Sequence, residues 1–195
     1  MAHKAGVLAS GEGTNFERLC VVCNNGEIRD LEVACLLTDR LCGAEERAKR
    51  LGVACRRFDP KSFVDPQIFS AAMTDELIAQ GVSVVILAGY LRKITMPMLE
   101  RYAGRILNVH PALLPKFGGK GMYGRAVHEA VLRAGEKETG ITVHVVDAVY
   151  DHGPIVLQQK IAVKEAESVE SLQRRVHELE YEYYPKAVAH FIKTL

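Results

Sequence analysis

Apolar residues along this chain fall into two kinds of run that alternate. Ala5 to Ala9, Leu31 to Leu37, Val84 to Leu87 and Ile106 to His110 are short and nearly continuous, the pattern of strands buried on both faces. Between them, apolar positions recur every three or four residues: Phe16, Leu19, Cys20 and Cys23, then Ala44 to Leu51, then Phe69, Met73 and Leu77. This spacing predicts helices, and a further short strand is expected near Val53 to Arg57. The alternation predicts an α/β fold of the Rossmann-like kind. Its mostly parallel, twisted sheet carries helices on both faces, joined by right-handed crossovers.

The pattern changes after His110. Pro111 to Gly124 holds two prolines and four glycines, too many for a regular element, and is expected to be a long irregular loop. A helix is predicted over Arg125 to Ala134, followed by two strands, Ile141 to Val146 and Ile155 to Val163, that read as an antiparallel C-terminal part. The closing segment starts at a potential N-cap, Ser168, and carries Val169, Leu172, Val176, Leu179 and Tyr183 at helical spacing. A long terminal helix follows, which Pro185 should kink or interrupt because proline has no backbone N–H for the ladder.

Composition narrows the function classes. The 195 residues suit one domain, 1–195, and 48% hydrophobic with 25% charged residues is ordinary for a globular chain. With 25 Lys and Arg against 24 Asp and Glu, the net charge of +1 supplies no footprint for nucleic acid or an anionic membrane. The first residues hold too short an apolar run for a membrane span, so a cytoplasmic protein is expected. Five cysteines, an odd number at irregular spacing, read as reduced thiols. Cys20 and Cys23 form a CxxC without a second ligand pair, in an apolar helical stretch, and no metal is expected there.

Three places could carry chemistry. Ser10-Gly11-Glu12-Gly13-Thr14-Asn15 forms a strand-to-helix turn whose backbone N–H groups and helix dipole suit a phosphate. It is neither a Walker A loop nor a full G-x-G-x-x-G, since Phe16 occupies the third glycine position. Asn108 and His110 lie two apart at a strand end, so both side chains leave on the same side, toward the edge where open α/β sheets bind ligands. A carboxamide beside an imidazole can hold an oxyanion and move a proton. Asp151, in the Asp151-His152-Gly153-Pro154 turn, could bring a carboxylate to that edge or serve only local hydrogen bonding. His144 in the preceding strand reads equally well as a core histidine.

Taken in order, Leu87-Ala-Gly-Tyr-Leu-Arg92, Asn108-Val-His-Pro-Ala-Leu-Leu-Pro115, Gly140-Ile-Thr-Val-His144 and Asp151-His-Gly-Pro154 resemble the motifs of the phosphoribosylglycinamide formyltransferase family. The Ser10 to Asn15 loop and Arg175-Val-His-Glu-Leu-Glu180 also match, so the resemblance runs nearly end to end. It implies transfer of a formyl group from 10-formyltetrahydrofolate to the amine of glycinamide ribonucleotide, a step of de novo purine synthesis, without a metal or a covalent enzyme intermediate. It also implies roles. Asn108 and a protonated His110 would stabilise the oxyanion, and Asp151 would favour the imidazolium and help carry the proton. Gly13, Thr14 and Asn15 would hold the phosphate and Glu180 the ribose hydroxyls. Leu91, Arg92, Lys93 and Ile94 would line the pterin pocket largely through backbone groups, with Asn108, Asp147 and Asp151 completing the folate site. The N-terminal half would then hold the ribonucleotide phosphate and the C-terminal half the folate and catalytic site. The Pro111 to Pro115 turn resembles a family turn with a cis bond before its last proline.

The chain departs from the family pattern in two places. Val64-Asp65-Pro66-Gln67 lacks an arginine that often reaches the folate glutamate tail, a role for which Arg92 or Lys93 could substitute. Phe117 to Gly124 resembles a glycine-rich variant without the histidines found there in other members, and is expected to order with ligands. Related activities are alternatives. A formyltetrahydrofolate deformylase usually has a preceding regulatory domain, whereas the first strand here begins by Ala5. A methionyl-tRNA formyltransferase needs a tRNA-binding domain for which 195 residues leave no room. A non-catalytic nucleotide-binding module or a dinucleotide oxidoreductase would leave Asn108, His110 and Asp151 unexplained. Small-molecule substrates are the expected partners, and monomer and homodimer both fit.

Overall fold

The computed structural model describes residues 2–195; Met1, the first residue of the expected 1–195 domain, lies outside the described residues. Seven strands form one sheet: β1 (His3–Ala9), β2 (Leu31–Thr38), β3 (Ala54–Arg57), β4 (Val84–Leu87), β5 (Ile106–His110), β6 (Glu138–Val145) and β7 (Ile155–Ala162). Their spatial order is β3-β2-β1-β4-β5-β6-β7. The first five are mutually parallel, while β6 runs antiparallel to β5 and β7 antiparallel to β6.

Helices α1 (Thr14–Asn24), α2 (Gly43–Leu51), α3 (Pro66–Ala79), α4 (Met96–Arg101), α5 (Arg125–Arg133) and α6 (Val169–Ile192) cover the sheet. Alternation along the strands shows why both faces need cover. Val7, Val84 and Ile86 join Phe16, Leu19, Ala44, Val176 and Tyr184 in one buried cluster. Leu8, Val85 and Leu87 join Phe69, Met73, Leu77 and Met98 in a second, on the opposite face. The doubly covered sheet is the predicted architecture. Among the described residues no helix is long and apolar enough to cross a membrane.

Local sequence sets several element ends. The Asp65 side chain accepts the Gln67 and Ile68 N–H groups at 2.7 and 2.9 Å, with Pro66 in the first turn, so the segment lacking the tail arginine is a well-capped start of α3. Ser168 accepts the Ser171 N–H at 3.1 Å and starts α6, as its position predicts. The Leu114–Pro115 peptide is cis, as the resemblance of its turn implies. Interruption at Pro185 does not occur: α6 continues through it to Ile192. Proline removes one ladder bond, but Tyr184, Pro185, Ala187 and Val188 are all buried against the sheet, and that burial holds the segment helical.

The cysteines are all free. Burial pushes the thiols of Cys20 and Cys23 up to about 12 and about 11, so the CxxC is protonated and inert at neutral pH.

Candidate active site

Strand order reverses at β1, from which the chain moves to β2 and β3 on one side and then to β4 and β5 on the other. The loops leaving β1, β4 and β5 therefore diverge at the carboxyl edge and leave a crevice between them, the usual ligand position in an open α/β sheet. A cleft of about 900 Å³ opens there. Thr14, Asn15, Leu91, Arg92, Lys93, Ile94, Asn108, His110, Asp147, Asp151 and Glu180 all line it. Gly13, one residue before Thr14, sits behind the lining and is buried.

At the β1 end, Gly13 has φ 73°, and a Cβ there would fall 2.6 Å from Ala44 Cβ and 2.7 Å from Ala44 Cα. Only glycine lets this turn lie against α2 while opening α1. The loop is tied to the last helix. Asn15 Nδ2 donates to Glu180 Oε2 at 2.8 Å, and His177 bridges Glu180 Oε2 (3.2 Å from Nδ1) and Thr14 Oγ1 (3.0 Å from Nε2). The Glu180 hydrogen bond is the main reason the His177 imidazole holds its proton more tightly than usual.

The loop is also tied to the segment after β4. Ser10 N donates to Gly89 O at 3.1 Å, and Leu91 N donates to Ser10 Oγ at 3.1 Å. The Leu91 N–H is thus already engaged within the protein. Arg92 Nε donates to Asp39 Oδ2 at 2.7 Å, and Arg40 Nη2 donates to the same oxygen at 2.8 Å. Burial alone would raise the Asp39 carboxyl, but hydrogen bonds from Arg40, Ser10 and Arg92 hold it below the ordinary value. Lys93 Nζ lies 5.5 Å from the centre of the Tyr150 ring, joining this segment to the loop after β6 across the cleft. In that loop Asp147 accepts the Val149 N–H at 2.7 Å and pairs with His152 at 3.0 Å.

At the β5 end, Asp151 lies 3.6 Å from His110 Nδ1 and 3.6 Å from His144 Nε2, and accepts the Gly119 N–H at 2.9 Å. Burial would raise this carboxyl. The neighbouring His144 and His110 rings and the Gly119 N–H together keep it below the ordinary value, so it is ionised at neutral pH. His144 pairs with Asn108 Nδ2 at 3.1 Å and with the Val145 carbonyl at 3.1 Å. It belongs to the cluster rather than to the apolar core alone. An Nδ1–H donated to Val145 leaves Nε2 to accept one Asn108 N–H, and the second amide N–H of Asn108 stays available to a ligand.

His110 lies at the end of β5, beside Asp151. Its Nε2–H donates to the Phe117 carbonyl at 2.8 Å, and burial pushes the imidazole below its usual value despite the opposing pull of Asp151. It therefore rests as the neutral ring, not the imidazolium. Phe117 and Asp151, both non-glycine residues with positive φ (56° and 53°), hold this geometry in a sparsely populated backbone region. The glycine-rich loop is fastened to the cluster through Phe117 and Gly119. A Cβ on Gly118 would fall 2.6 Å from Leu114 Cδ2 and 3.1 Å from Asp151 Cβ, so a side chain there would crowd both residues.

Two cleft residues escape sequence reasoning. His177 stands three residues before Glu180, on the same helix face, and that spacing was a usable signal. His128 follows Val127 on the buried face of α5, and a polar residue on an apolar face was its only mark.

A cleft at the switch point, with an anion-suited turn at one end and a carboxamide, two imidazoles and a carboxylate at the other, defines an α/β enzyme of acid–base and oxyanion chemistry. The chain belongs to the formyl transferase family, whose sequence profile matches residues 3–188. It is 38% identical over 186 residues to a phosphoribosylglycinamide formyltransferase of Bacillus subtilis, covering 95% of this chain and 92% of that protein. A chloroplastic phosphoribosylglycinamide formyltransferase of Arabidopsis thaliana is 37% identical over 95% of this chain, which spans 64% of that protein. The crystal structure of glycinamide ribonucleotide transformylase 1 from Symbiobacterium toebii superposes with a TM-score of 0.91 at 40% identity, covering 96% of this chain and 86% of that one.

Proposed function

We propose that this family member transfers the formyl group of 10-formyltetrahydrofolate to the primary amine of glycinamide ribonucleotide. The observation that carries the reading is the ionised Asp151, set between two imidazoles in the same cleft as the Gly13 to Asn15 turn. The turn and Glu180 hold phosphate and ribose. The Leu91 to Ile94 and Asp147 to Asp151 segments enclose the pterin from two sides, with Asn108 at its inner end.

The amine nitrogen bonds to the formyl carbon, and the carbonyl oxygen becomes an oxyanion. The free Asn108 N–H donates to it, and His110 does so after its Nε2–H exchanges the Phe117 carbonyl for the formyl oxygen. The oxyanion and Asp151 then present two negative charges to His110, which favours the imidazolium that burial disfavours in the empty site. The amine gives up one proton, which Asp151, directly or through water, passes toward the folate nitrogen. The carbon–nitrogen bond to folate breaks as that nitrogen is protonated, releasing tetrahydrofolate and the formylated ribonucleotide.

The test is an assay of purified protein with 10-formyltetrahydrofolate, with and without glycinamide ribonucleotide. Tetrahydrofolate release is expected only when the amine substrate is present. Equal release of formate without it would replace transfer by hydrolysis.

A further inference from the structure

Six buried side-chain polar atoms lack a hydrogen-bond partner among the described residues, and two of them belong to residues lining the cleft: Asn15 Oδ1 and His128 Nδ1. His128 sits on α5, 3% exposed, flanked on the buried face by Val127 and Val131. An apolar side chain would fill this place without stranding a polar atom, and an unpaired buried nitrogen costs stability. Its neighbours identify the part of the cleft it faces. Helix α5 packs against α6, and His128 shares the cleft lining with Glu180 of α6 and His110 of β5; burial keeps the imidazole neutral despite the Glu180 charge.

His128 therefore stands between the end of the cleft assigned to ribose and the end assigned to the reacting amine. Resting on the proposed function, we infer that His128 binds the ribonucleotide, its buried Nδ1 pairing with a polar group of the ribosyl-glycinamide arm. A neutral imidazole offers one donor and one acceptor, which suits the hydroxyl and carboxamide groups of that arm. A site built to hydrogen-bond a substrate group discriminates strongly once the pair is broken. The role is one of binding, so it acts on one substrate only.

The experiment measures KM for each substrate, kcat and thermal midpoint in wild type, His128→Phe, His128→Asn and His128→Gln. His128→Phe keeps the packing and deletes the polar atom. The KM for the ribonucleotide is expected to rise roughly tenfold or more, with the KM for 10-formyltetrahydrofolate within twofold of wild type. His128→Asn, whose amide reaches the Nδ1 position, should recover part of the loss, and His128→Gln, which mimics Nε2, should not. An unchanged ribonucleotide KM in folded His128→Phe overturns the inference, as does a parallel rise in both KM values with a fall in thermal midpoint, the mark of a structural role. If the Phe variant does not fold, equal ribonucleotide KM values for Asn and Gln overturn it. Wild type that turns over in the same assay while the variants match it refutes this inference alone, whereas wild type inert toward glycinamide ribonucleotide refutes the proposed function and the inference with it.

Discussion

Replacing Asp151 by asparagine removes one charge and little else. The side chains are nearly isosteric, and the asparagine carbonyl can still accept the Gly119 N–H now held at 2.9 Å. What disappears is the negative charge 3.6 Å from His110 Nδ1 and 3.6 Å from His144 Nε2. Two unit charges at that separation interact by about 5 kcal/mol at an effective dielectric near 20. Asp151 is partly open to the cleft, and screening there leaves about 3 to 4 kcal/mol between it and an imidazolium in the transition state. Each 1.36 kcal/mol is tenfold in rate, so kcat should fall roughly 10²- to 10³-fold. Because the loop contact survives, KM for either substrate should move only a few-fold. The pH dependence supplies a second check. The folded carboxyl is held below its unfolded value, so its contribution to stability is present above about pH 3.9 and is lost as pH falls through the folded value. The thermal-midpoint gap between wild type and variant should therefore shrink toward acid. Steady-state kinetics at saturating substrates and thermal melts across the acid range make the measurement. A variant kcat within tenfold of wild type would refute the assignment of charge to the transition state.

Two other perturbations probe the opposite end of the cleft. Gly13→Ala forces a side chain into positive φ and against Ala44 at 2.6 Å. Urea unfolding should show a loss of about 2 to 3 kcal/mol, and the ribonucleotide KM should rise more than the folate KM; an unchanged unfolding midpoint would contradict the steric reading. His177→Gln removes an imidazolium stabilised chiefly by its hydrogen bond to Glu180. That contribution is fully present below the unfolded value of about 6.5 and disappears as pH rises through the higher folded value. The wild-type advantage in thermal midpoint should therefore narrow as pH rises above about 6.5, and a gap independent of pH would count against the ion pair.

The elements readable from the sequence are those whose signal is local. The continuous apolar runs of β1, β4 and β5 announce burial on both faces because each residue's fate depends on its own layer. Asn108 and His110 were legible as a pair because period-two alternation carries both to one side of a strand end. Short α4, with six residues, offered too few turns for its periodicity to show. Pro185 misled, because the lost backbone bond is a local cost while the burial of its neighbours is decided by the sheet beneath them.

By itself, then, the sequence determined the alternation of strands and helices, the glycine turn after β1, the Asn-x-His strand end and, through motif resemblance, the chemistry to look for. Tertiary structure decided which distant groups meet: Thr14 with His177, Asp39 with Arg92, and Asp151 between His110 and His144. It also decided that His110 rests neutral, since burial and the Asp151 charge oppose each other there and their balance depends on how deeply the ring is enclosed. His128 belongs to the same class. A helical period places it on a buried face, but only the packed cleft leaves its Nδ1 without a partner. Periodicity reports burial because burial acts residue by residue along an element; convergence, protonation and unmet hydrogen bonds depend on how elements far apart in the chain are brought together around the switch point.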